Sequence, residues 1–163
     1  MISRWHASCC NHSWLLTGLN EKPMKKAKDL LLEFLDAFPV PSRAAALFAQ
    51  DGALETPYLQ TVNIQPRSEG PGEIEKFLAT LIGMVPDWKF SNIKILMEDK
   101  DQVFAEYEVH AVATHTNRPF EQLFFGRLVK DEHDKIKLLR EAQNLVNTAR
   151  ASLKNGMDDI PGA

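Results

Sequence analysis

The sequence contains little cysteine, no long apolar segment and no excess of basic residues. Its two cysteines are the neighbours Cys9 and Cys10, so a disulfide framework is excluded. No run of about 18 apolar residues occurs, so we expect no membrane-spanning helix and no membrane partner. Lys and Arg number 19 against 22 Asp and Glu, and the net charge of −3 argues against nucleic acid as a partner. The absence of cysteine after Cys10 is compatible with a reducing cytoplasm, which is the location we expect.

The remaining composition is typical of one domain of ordinary size. The 163 residues are 44% apolar and 25% charged, which is enough for a single self-contained core. Regular apolar patterns run through residues 24–154, which we take as the domain. Residues 1–23 show no such pattern and predict a disordered or atypical N-terminal extension, and residues 155–163 predict a C-terminal tail.

The N-terminal extension contains a group of residues that suggests a metal. Cys9 and Cys10 lie close in sequence to His6 and His12, and thiolate with imidazole is a common zinc ligand set. A disordered tail, translated upstream sequence or a targeting peptide explains the same residues without a metal. We therefore predict no metal site.

The first half of the domain has the period of α-helices. Apolar residues recur at helical spacing after Lys25 and predict a first helix. The prolines that follow Phe38 end this helix. Two further helices are predicted, Arg43 to Ala49 and Glu73 to Ile82. A short strand, Ala53 to Pro57, lies between them, and an irregular connection follows it, Tyr58 to Ser68.

The second half changes to the period of β-strands. Four strands are predicted, Trp88 to Met97, Asp101 to Thr114, Phe120 to Val129 and Lys135 to Asn144. A short helix, Val146 to Leu153, closes the pattern. Helices followed by long strands in meander order indicate an α+β fold.

Several motifs along this pattern resemble a known superfamily. They are Leu47-Phe48-Ala49-Gln50-Asp51-Gly52-Ala53-Leu54, Pro86-Asp87-Trp88, the strand Phe104-x-Glu106-x-Glu108-x-His110, and Lys135-Ile136 leading to Arg140-Glu141-x-x-Asn144. In order and spacing they are similar to the nuclear-transport-factor-2-like superfamily, which includes SnoaL-like polyketide cyclases and ketosteroid isomerase. The similarity is closest to the phenazine-biosynthesis A/B proteins and runs from Lys25 to Leu153.

This resemblance implies a cone-shaped fold with a ligand cavity. Three N-terminal helices would pack on a strongly curved antiparallel sheet and enclose an apolar cavity for a small hydrophobic organic ligand. Members of the superfamily are commonly homodimers through the outer face of the sheet, and we expect the same here. Fold alone does not decide the chemistry, because enzymes, binding modules and adaptors share this scaffold.

The resemblance also implies which positions line the cavity. Thr56 stands where ketosteroid isomerase has its carboxylate base, Phe34 stands near its tyrosine and Phe125 near its second acid, so a steroid-isomerase mechanism is not expected. Phe77 and Leu81 stand where the phenazine proteins have a histidine and a serine. The predicted ligand-binding residues are Phe34, Tyr58, Phe77, Leu81, Trp88, Phe125 and Asn144.

Three of these residues have alternative roles. Trp88 and Tyr58 could stack on a ligand, or they could be core residues that bury the ring and satisfy its polar atom. Asn144 could bind a ligand, or it could cap the closing helix, because asparagine is a favoured N-cap residue.

Glu141 is the predicted catalytic residue. The resemblance implies that it is the general acid of the cavity. Strand alternation gives an independent reason, because Leu139, Glu141 and Gln143 share one face. If Leu139 faces the cavity, Glu141 does too, and apolar surroundings raise the pKa of its carboxyl toward neutrality. Alternatively, Glu141 points to solvent or pairs with charged neighbours on the sheet.

Glu106, Glu108 and His110 share one face of a strand at i, i+2, i+4 spacing. A histidine beside carboxylates could act as an acid/base group with a raised pKa. The small apolar residues on the opposite face, such as Ala105 and Val109, instead favour a polar outer face that is solvated or forms a dimer interface.

Three functions follow as hypotheses. The first is a cofactor-independent isomerase or cyclase that acts by acid/base catalysis on a hydrophobic carbonyl-bearing metabolite, since the sequence has no nucleotide-binding glycine loop and no nucleophile elbow. The second is a non-catalytic small-molecule-binding module of the same fold. The third is a dimeric interaction or adaptor protein that works through its outer sheet face.

Overall fold

The computed structural model describes residues 24–160. The predicted N-terminal extension, with Cys9, Cys10 and the two histidines beside them, lies outside the described residues, as do the last three residues of the chain. The described part contains four α-helices: α1 (Ala27–Ala37), α2 (Pro41–Ala45), α3 (Gly70–Met84) and α4 (Leu145–Ser152). Two short 3-10 helices, Pro57–Val62 and Gly156–Asp159, accompany them. No helix of the described part is long and apolar enough to cross a bilayer.

The six strands of the described part form a single sheet. The strands are β1 (Phe48–Glu55), β2 (Arg67–Glu69), β3 (Phe90–Glu98), β4 (Gln102–Ala113), β5 (Arg118–Lys130) and β6 (Ile136–Gln143). Their order across the sheet is β2-β1-β6-β5-β4-β3. Shifts in register interrupt the pairing of β1 with β6, of β3 with β4 and of β5 with β6.

The prediction of a purely antiparallel sheet is wrong, because β1 and β6 run parallel. All the other neighbouring strands pair antiparallel. The four long strands form the expected meander, and its last strand, β6, returns beside β1, which is far away in sequence. The direction of that pairing depends on the path of the whole chain between β1 and β6, so local patterns do not reveal it. The sheet is therefore mixed, and the fold class α+β holds.

The long elements agree with the predicted ones to within a few residues, and the short ones differ. The second helix ends at Ala45 rather than Ala49, because Phe48 and Ala49 already belong to β1. Two strands thus separate α2 from α3, so the three helices are not consecutive. The connection predicted as irregular contains a 3-10 helix and the strand β2, whose residues Arg67–Glu69 pair with the edge of β1. Likewise, the predicted C-terminal tail contains the 3-10 helix Gly156–Asp159.

The core lies between the helices and one face of the sheet. Leu30, Leu31 and Phe34 form the predicted stripe of α1 and are fully buried. They pack toward the inward residues of β4 and β5, which alternate with half-buried or exposed residues along both strands. This alternation fixes which side chains face the helices and which face outward.

Candidate functional site

A pocket of about 340 Å³ opens beside the core, between α3, α4 and the sheet. This volume is at the small end of the range of roughly 300–1,000 Å³ in which proteins bind small molecules. Most of its wall is apolar. Six polar or charged side chains interrupt the wall: Thr56, Thr80, Glu141, Gln143, Thr148 and Ser152. Within the described residues, Glu141 is the only ionisable side chain that lines the pocket.

Hydrogen bonds from β5 hold α4 over one end of the pocket. Gln122 points inward from β5, and its Nε2 donates to Thr148 Oγ1 at 2.9 Å and to the Asn144 carbonyl at 3.0 Å. Arg118 Nη1 donates to the Leu153 carbonyl at 2.9 Å, just past the C-terminal end of the helix. Because Thr148 and Ser152 line the pocket, these bonds fix one part of its wall.

The alternation of β6 points Glu141 into the pocket. Leu139 is fully buried, and Glu141 is only 5% exposed on the same face. Arg140 points to the opposite side and binds the Glu55 carboxylate. Of the two orientations that the sequence left open, the structure has the one in which Glu141 faces inward.

Glu141 accepts a hydrogen bond from the hydroxyl of Tyr107, which lies two strands away on β4. Tyr107 is fully buried, with its ring stacked on Phe124 at a centroid distance of 5.8 Å. The hydroxyl reaches β6 by crossing β5 at Gly126, the residue that pairs with Glu141 in the sheet register. A Cβ atom at Gly126 would overlap the tyrosine hydroxyl. The missing side chain of Gly126 is what makes the contact possible.

Burial dominates the electrostatics of this pair. It raises the pKa of the Glu141 carboxyl from 4.5 to about 7, and the hydrogen bond from Tyr107 lowers it in part. Burial, and then the nearby Glu141 charge, hold the pKa of Tyr107 well above its ordinary value. Tyr107 therefore stays a neutral donor, while Glu141 can take or give a proton near neutral pH.

Tyr107 was not among the residues predicted for the site. Its alternation pattern placed it on the apolar face of β4, but only the register across three strands brings its hydroxyl to Glu141. The available signal was Gly126, a glycine inside a predicted strand, which often marks a close approach of another group.

Three of the predicted ligand-binding residues line the pocket: Phe77, Leu81 and Trp88. Phe77 and Leu81 come from α3, and Trp88 follows that helix. Thr56 also lines the pocket at the end of β1, and its hydroxyl is not a base at neutral pH.

The other four predicted residues lie outside the pocket. Phe34 is a core residue between Phe38 and Phe48, at ring distances of 5.8 and 5.7 Å. Phe125 faces outward at 39% exposure because even-numbered residues of β5 face inward, so Phe124 lines the pocket instead.

Tyr58 and Asn144 also lie outside the pocket. Tyr58 lies on the first 3-10 helix and is 57% exposed. Asn144 is the N-cap of α4, and its Oδ1 accepts from the backbone N–H of Val146 at 3.0 Å and of Asn147 at 3.4 Å. Capping is thus the alternative that the structure favours for Asn144.

Glu106, Glu108 and His110 lie on the outer face of β4, away from the pocket. Glu106 binds Lys94 Nζ at 2.8 Å, and Glu108 accepts from Asn92 Nδ2 at 2.6 Å. His110 Nε2 lies 3.2 Å from the Glu108 carboxylate. The bonds from Asn92 and His110 keep the pKa of Glu108 below its usual value, so this carboxylate is a charged surface group rather than an acid/base catalyst.

The fold and the site together define an α+β protein with an apolar pocket and one buried acid. The sequence profile of the SnoaL-like domain family matches residues 32–138, and the chain belongs to this family. No curated protein sequence matches the chain.

Solved structures with the nuclear-transport-factor-2-like fold resemble this one. A candidate isomerase from Bacillus subtilis superimposes with a TM-score of 0.69 at 17% identity, covering 77% of this chain and 91% of its own. A phenazine biosynthesis-related protein from Pseudomonas aeruginosa has a TM-score of 0.64 at 21% identity, covering 77% and 83%. A candidate polyketide cyclase from Xanthomonas campestris pv. campestris has a TM-score of 0.63 at 20% identity, covering 73% and 90%. At these identities the similarity establishes the fold.

Proposed function

We propose that this protein is a cofactor-independent isomerase or cyclase, in which Glu141 transfers a proton on a small hydrophobic carbonyl compound bound in the pocket. The observation that carries the proposal is a single buried carboxyl group in an apolar pocket, with a pKa raised to about 7. A carboxyl group poised near the working pH is suited to general acid/base catalysis. The isomerase and cyclase names among the structural neighbours agree with this reaction class.

The proposed chemistry needs no redox partner. The Glu141 carboxylate takes a proton from the carbon next to the carbonyl, and the electron pair of the broken C–H bond forms an enolate. The Glu141 carboxyl then returns the proton to a different atom, which completes an isomerisation. Alternatively, the enolate carbon attacks a second carbonyl carbon and closes a ring, and the Glu141 carboxyl gives its proton to the alkoxide oxygen that this attack forms. The Tyr107 hydroxyl holds the carboxylate in place during both steps and is too deeply buried to contact the ligand itself.

Replacing Glu141 with glutamine is expected to abolish proton transfer to and from a bound ketone. Removing a general base costs about 10²- to 10⁴-fold in rate. The measurement is protein-dependent exchange of the α-hydrogens of 2-tetralone in D₂O at pH 7, followed by NMR. Glu108→Gln makes the same chemical change on the outer face and should exchange at the wild-type rate. Equal rates for wild type and Glu141→Gln would contradict the catalytic role.

A binding module without catalysis is the second candidate. The observation that favours it is the apolar character of Phe77 and Leu81, which leaves no histidine or serine on α3 facing the pocket. In that case 2-tetralone binds without accelerated exchange, and Glu141→Gln retains the binding. The exchange experiment therefore separates the two candidates.

We also propose that the chain forms a homodimer through its outer sheet face. Met97, Val112, Leu123 and Phe125 are between 39% and 67% exposed on this face, and burying these apolar side chains against a second copy would stabilise a dimer.

Charge reversal at Glu106, which pairs with Phe125 in the sheet register, should weaken the dimer. Glu106 pairs with Lys94, so Glu106→Lys places two like charges side by side. Light scattering at micromolar concentration should give a dimer for the wild type and a larger monomer fraction for the variant. A wild-type monomer would contradict the dimer, and it would remove the support for an adaptor role of this face.

A further inference from the structure

The hydroxyl group of Thr56 has no hydrogen-bond partner within residues 24–160. Thr56 is the N-cap residue of the 3-10 helix Pro57–Val62, a position at which a threonine side chain normally bonds a following backbone N–H, yet it makes no such bond. The Leu59 N–H donates instead to the backbone carbonyl of Thr56, at 3.0 Å. The side chain of Thr56 therefore has an unused hydrogen-bond donor.

A ligand in the pocket can reach this hydroxyl group. Thr56 is only 6% exposed, and it lines the pocket wall. Among residues 24–160, Trp88 Nε1 is the one side-chain nitrogen or oxygen that is fully covered and lacks a partner. The Thr56 Oγ1 also lacks a partner, so part of the small surface that Thr56 keeps belongs to this oxygen.

The two other threonines of the pocket wall already use their hydroxyl groups. Thr80 Oγ1 donates to the Lys76 carbonyl at 3.0 Å. Thr148 Oγ1 donates to the Asn144 carbonyl at 3.3 Å. Thr56 is thus the threonine of this wall whose donor remains for a ligand.

The pairing of β1 with β6 places Thr56 beside Glu141. Two parallel pairs come before them in the register, Leu54 with Leu139 and Glu55 with Arg140. The leucine pair is buried, and the other pair forms a salt bridge on the opposite side of the sheet. One residue further along, Thr56 and Glu141 follow side by side on the inward face, on strands that run about 4.8 Å apart.

The two side chains offer different groups to a ketone. The Tyr107 hydroxyl occupies Oε1 of Glu141, and no described residue bonds Oε2, so Oε2 can take a proton. No Lys, Arg or His lies among the described lining residues of the pocket, so an enolate oxygen would find no positive charge there. A neutral hydrogen-bond donor beside the base can stabilise that oxygen instead.

We propose that Thr56 is a second catalytic residue, whose hydroxyl donates a hydrogen bond to the carbonyl oxygen of the bound ketone. When Glu141 removes the α-proton, the C–H electron pair forms the new C=C bond and the carbonyl π pair moves onto this oxygen. The Thr56 proton stays on Oγ1, and its hydrogen bond strengthens as the negative charge develops. The inference rests on the proposed function for the proton transfer, whereas the hydrogen bond itself needs only a ketone in the pocket.

Thr56→Val removes the hydroxyl group and keeps the shape of the side chain. We expect the exchange of the α-hydrogens of 2-tetralone in D₂O at pH 7 to slow by about 10- to 100-fold in this variant. The loss should fall mainly on kcat rather than KM, because the hydrogen bond is stronger to the enolate than to the ketone. Thr56→Ser keeps the hydroxyl group and should retain most of the rate.

Thr61→Val is the matched control for this change. Thr61 lies on the same 3-10 helix and is exposed, and its Oγ1 donates to the Tyr58 carbonyl at 2.8 Å. The control loses a threonine hydroxyl outside the pocket and should exchange at the wild-type rate.

Infrared spectroscopy of the bound ketone tests the contact without turnover. Difference spectra of 2-tetralone with a ¹²C and a ¹³C carbonyl isolate its C=O stretch in the complex. Because a hydrogen bond weakens the C=O bond, the stretch should lie at a lower wavenumber in wild type and Thr56→Ser than in Thr56→Val.

Each contrary result overturns a different claim. Equal C=O wavenumbers in wild type and Thr56→Val overturn the role of Thr56, and fast exchange in that variant leaves the role of Glu141 intact. Exchange as slow in Thr56→Ser as in Thr56→Val shows that the methyl group matters and overturns the role of the hydroxyl. A wild type that shows the Thr56-dependent stretch without accelerated exchange overturns the proposed function and supports the hydrogen bond. Failure of 2-tetralone to bind overturns both.

Discussion

Between pH 4.5 and pH 8 the wild-type protein is expected to lose about 3 kcal/mol of stability relative to its Glu141→Gln variant. The pKa of the Glu141 carboxyl is about 7 in the folded protein and has its ordinary value of 4.5 when the chain unfolds. Between these two values the folded state binds more protons than the unfolded state, so rising pH favours unfolding. The stabilisation that the protonated Glu141 carboxyl contributes is complete below pH 4.5 and is lost once the pH has passed 7. Glutamine does not titrate, so the Glu141→Gln variant lacks this dependence of stability on pH.

The experiment is urea unfolding followed by circular dichroism at half-unit pH steps for both proteins. Glu108→Gln is the matched control, because hydrogen bonds lower the pKa of Glu108 and its contribution changes only below pH 4.5. The difference in free energy of unfolding between wild type and this control should stay constant from pH 4.5 to pH 8. If the difference in free energy of unfolding between wild type and Glu141→Gln also stayed constant over this range, the Glu141 carboxyl would titrate at its ordinary pKa.

Gly126→Ala is expected to destabilise the protein by about 2–4 kcal/mol. The new methyl group would overlap the Tyr107 hydroxyl and crowd the end of the ring. Tyr107 is fully buried, so relief requires either a displaced ring in a packed core or the loss of its bond to Glu141. Overpacking costs about 1–3 kcal/mol, and a buried polar group left unpaired adds a similar amount.

Two other glycines supply the control for this substitution. Gly72 and Gly83 lie in α3, with nothing within 4 Å of an added Cβ. Alanine at either position should be neutral or should stabilise the protein by up to about 1 kcal/mol, since alanine is the better helix former. A Gly126→Ala protein as stable as these controls would show that Tyr107 does not need the space above β5.

Periodicity in the sequence predicted the elements whose environment is local. The apolar stripe of α1 and the alternation of β4 follow from spacing alone, because one side of each element is buried. β2 has three residues, Arg67–Glu69, of which only Ser68 is buried, so its sequence resembles that of a loop. The parallel pairing of β1 with β6 depends on long-range topology, which no local pattern encodes.

Site residues could be predicted where the alternation of side chains along one strand decides which way they point. Site residues that depend on contacts between distant strands could not be predicted. Glu141 could be placed by its spacing from Leu139. Phe125 was assigned to the cavity by resemblance, although alternation within β5 turns it outward and Phe124 inward. The partnership of Tyr107 with Glu141 needed the registers of two strand pairs, which only the folded chain supplies.

A titration of the Glu141 side chain itself tests the proposed role of this residue most directly. The ¹³Cδ signal of Glu141, assigned by its loss in Glu141→Gln, is followed by NMR from pH 4 to pH 9 in the wild type and in Tyr107→Phe. We expect a pKa near 7 for the Glu141 carboxyl in the wild type. The pKa should be higher without the tyrosine hydroxyl, because this hydroxyl stabilises the charged carboxylate. A wild-type pKa near the ordinary 4.5 would show that the pocket is not lined by a buried acid able to transfer protons at neutral pH.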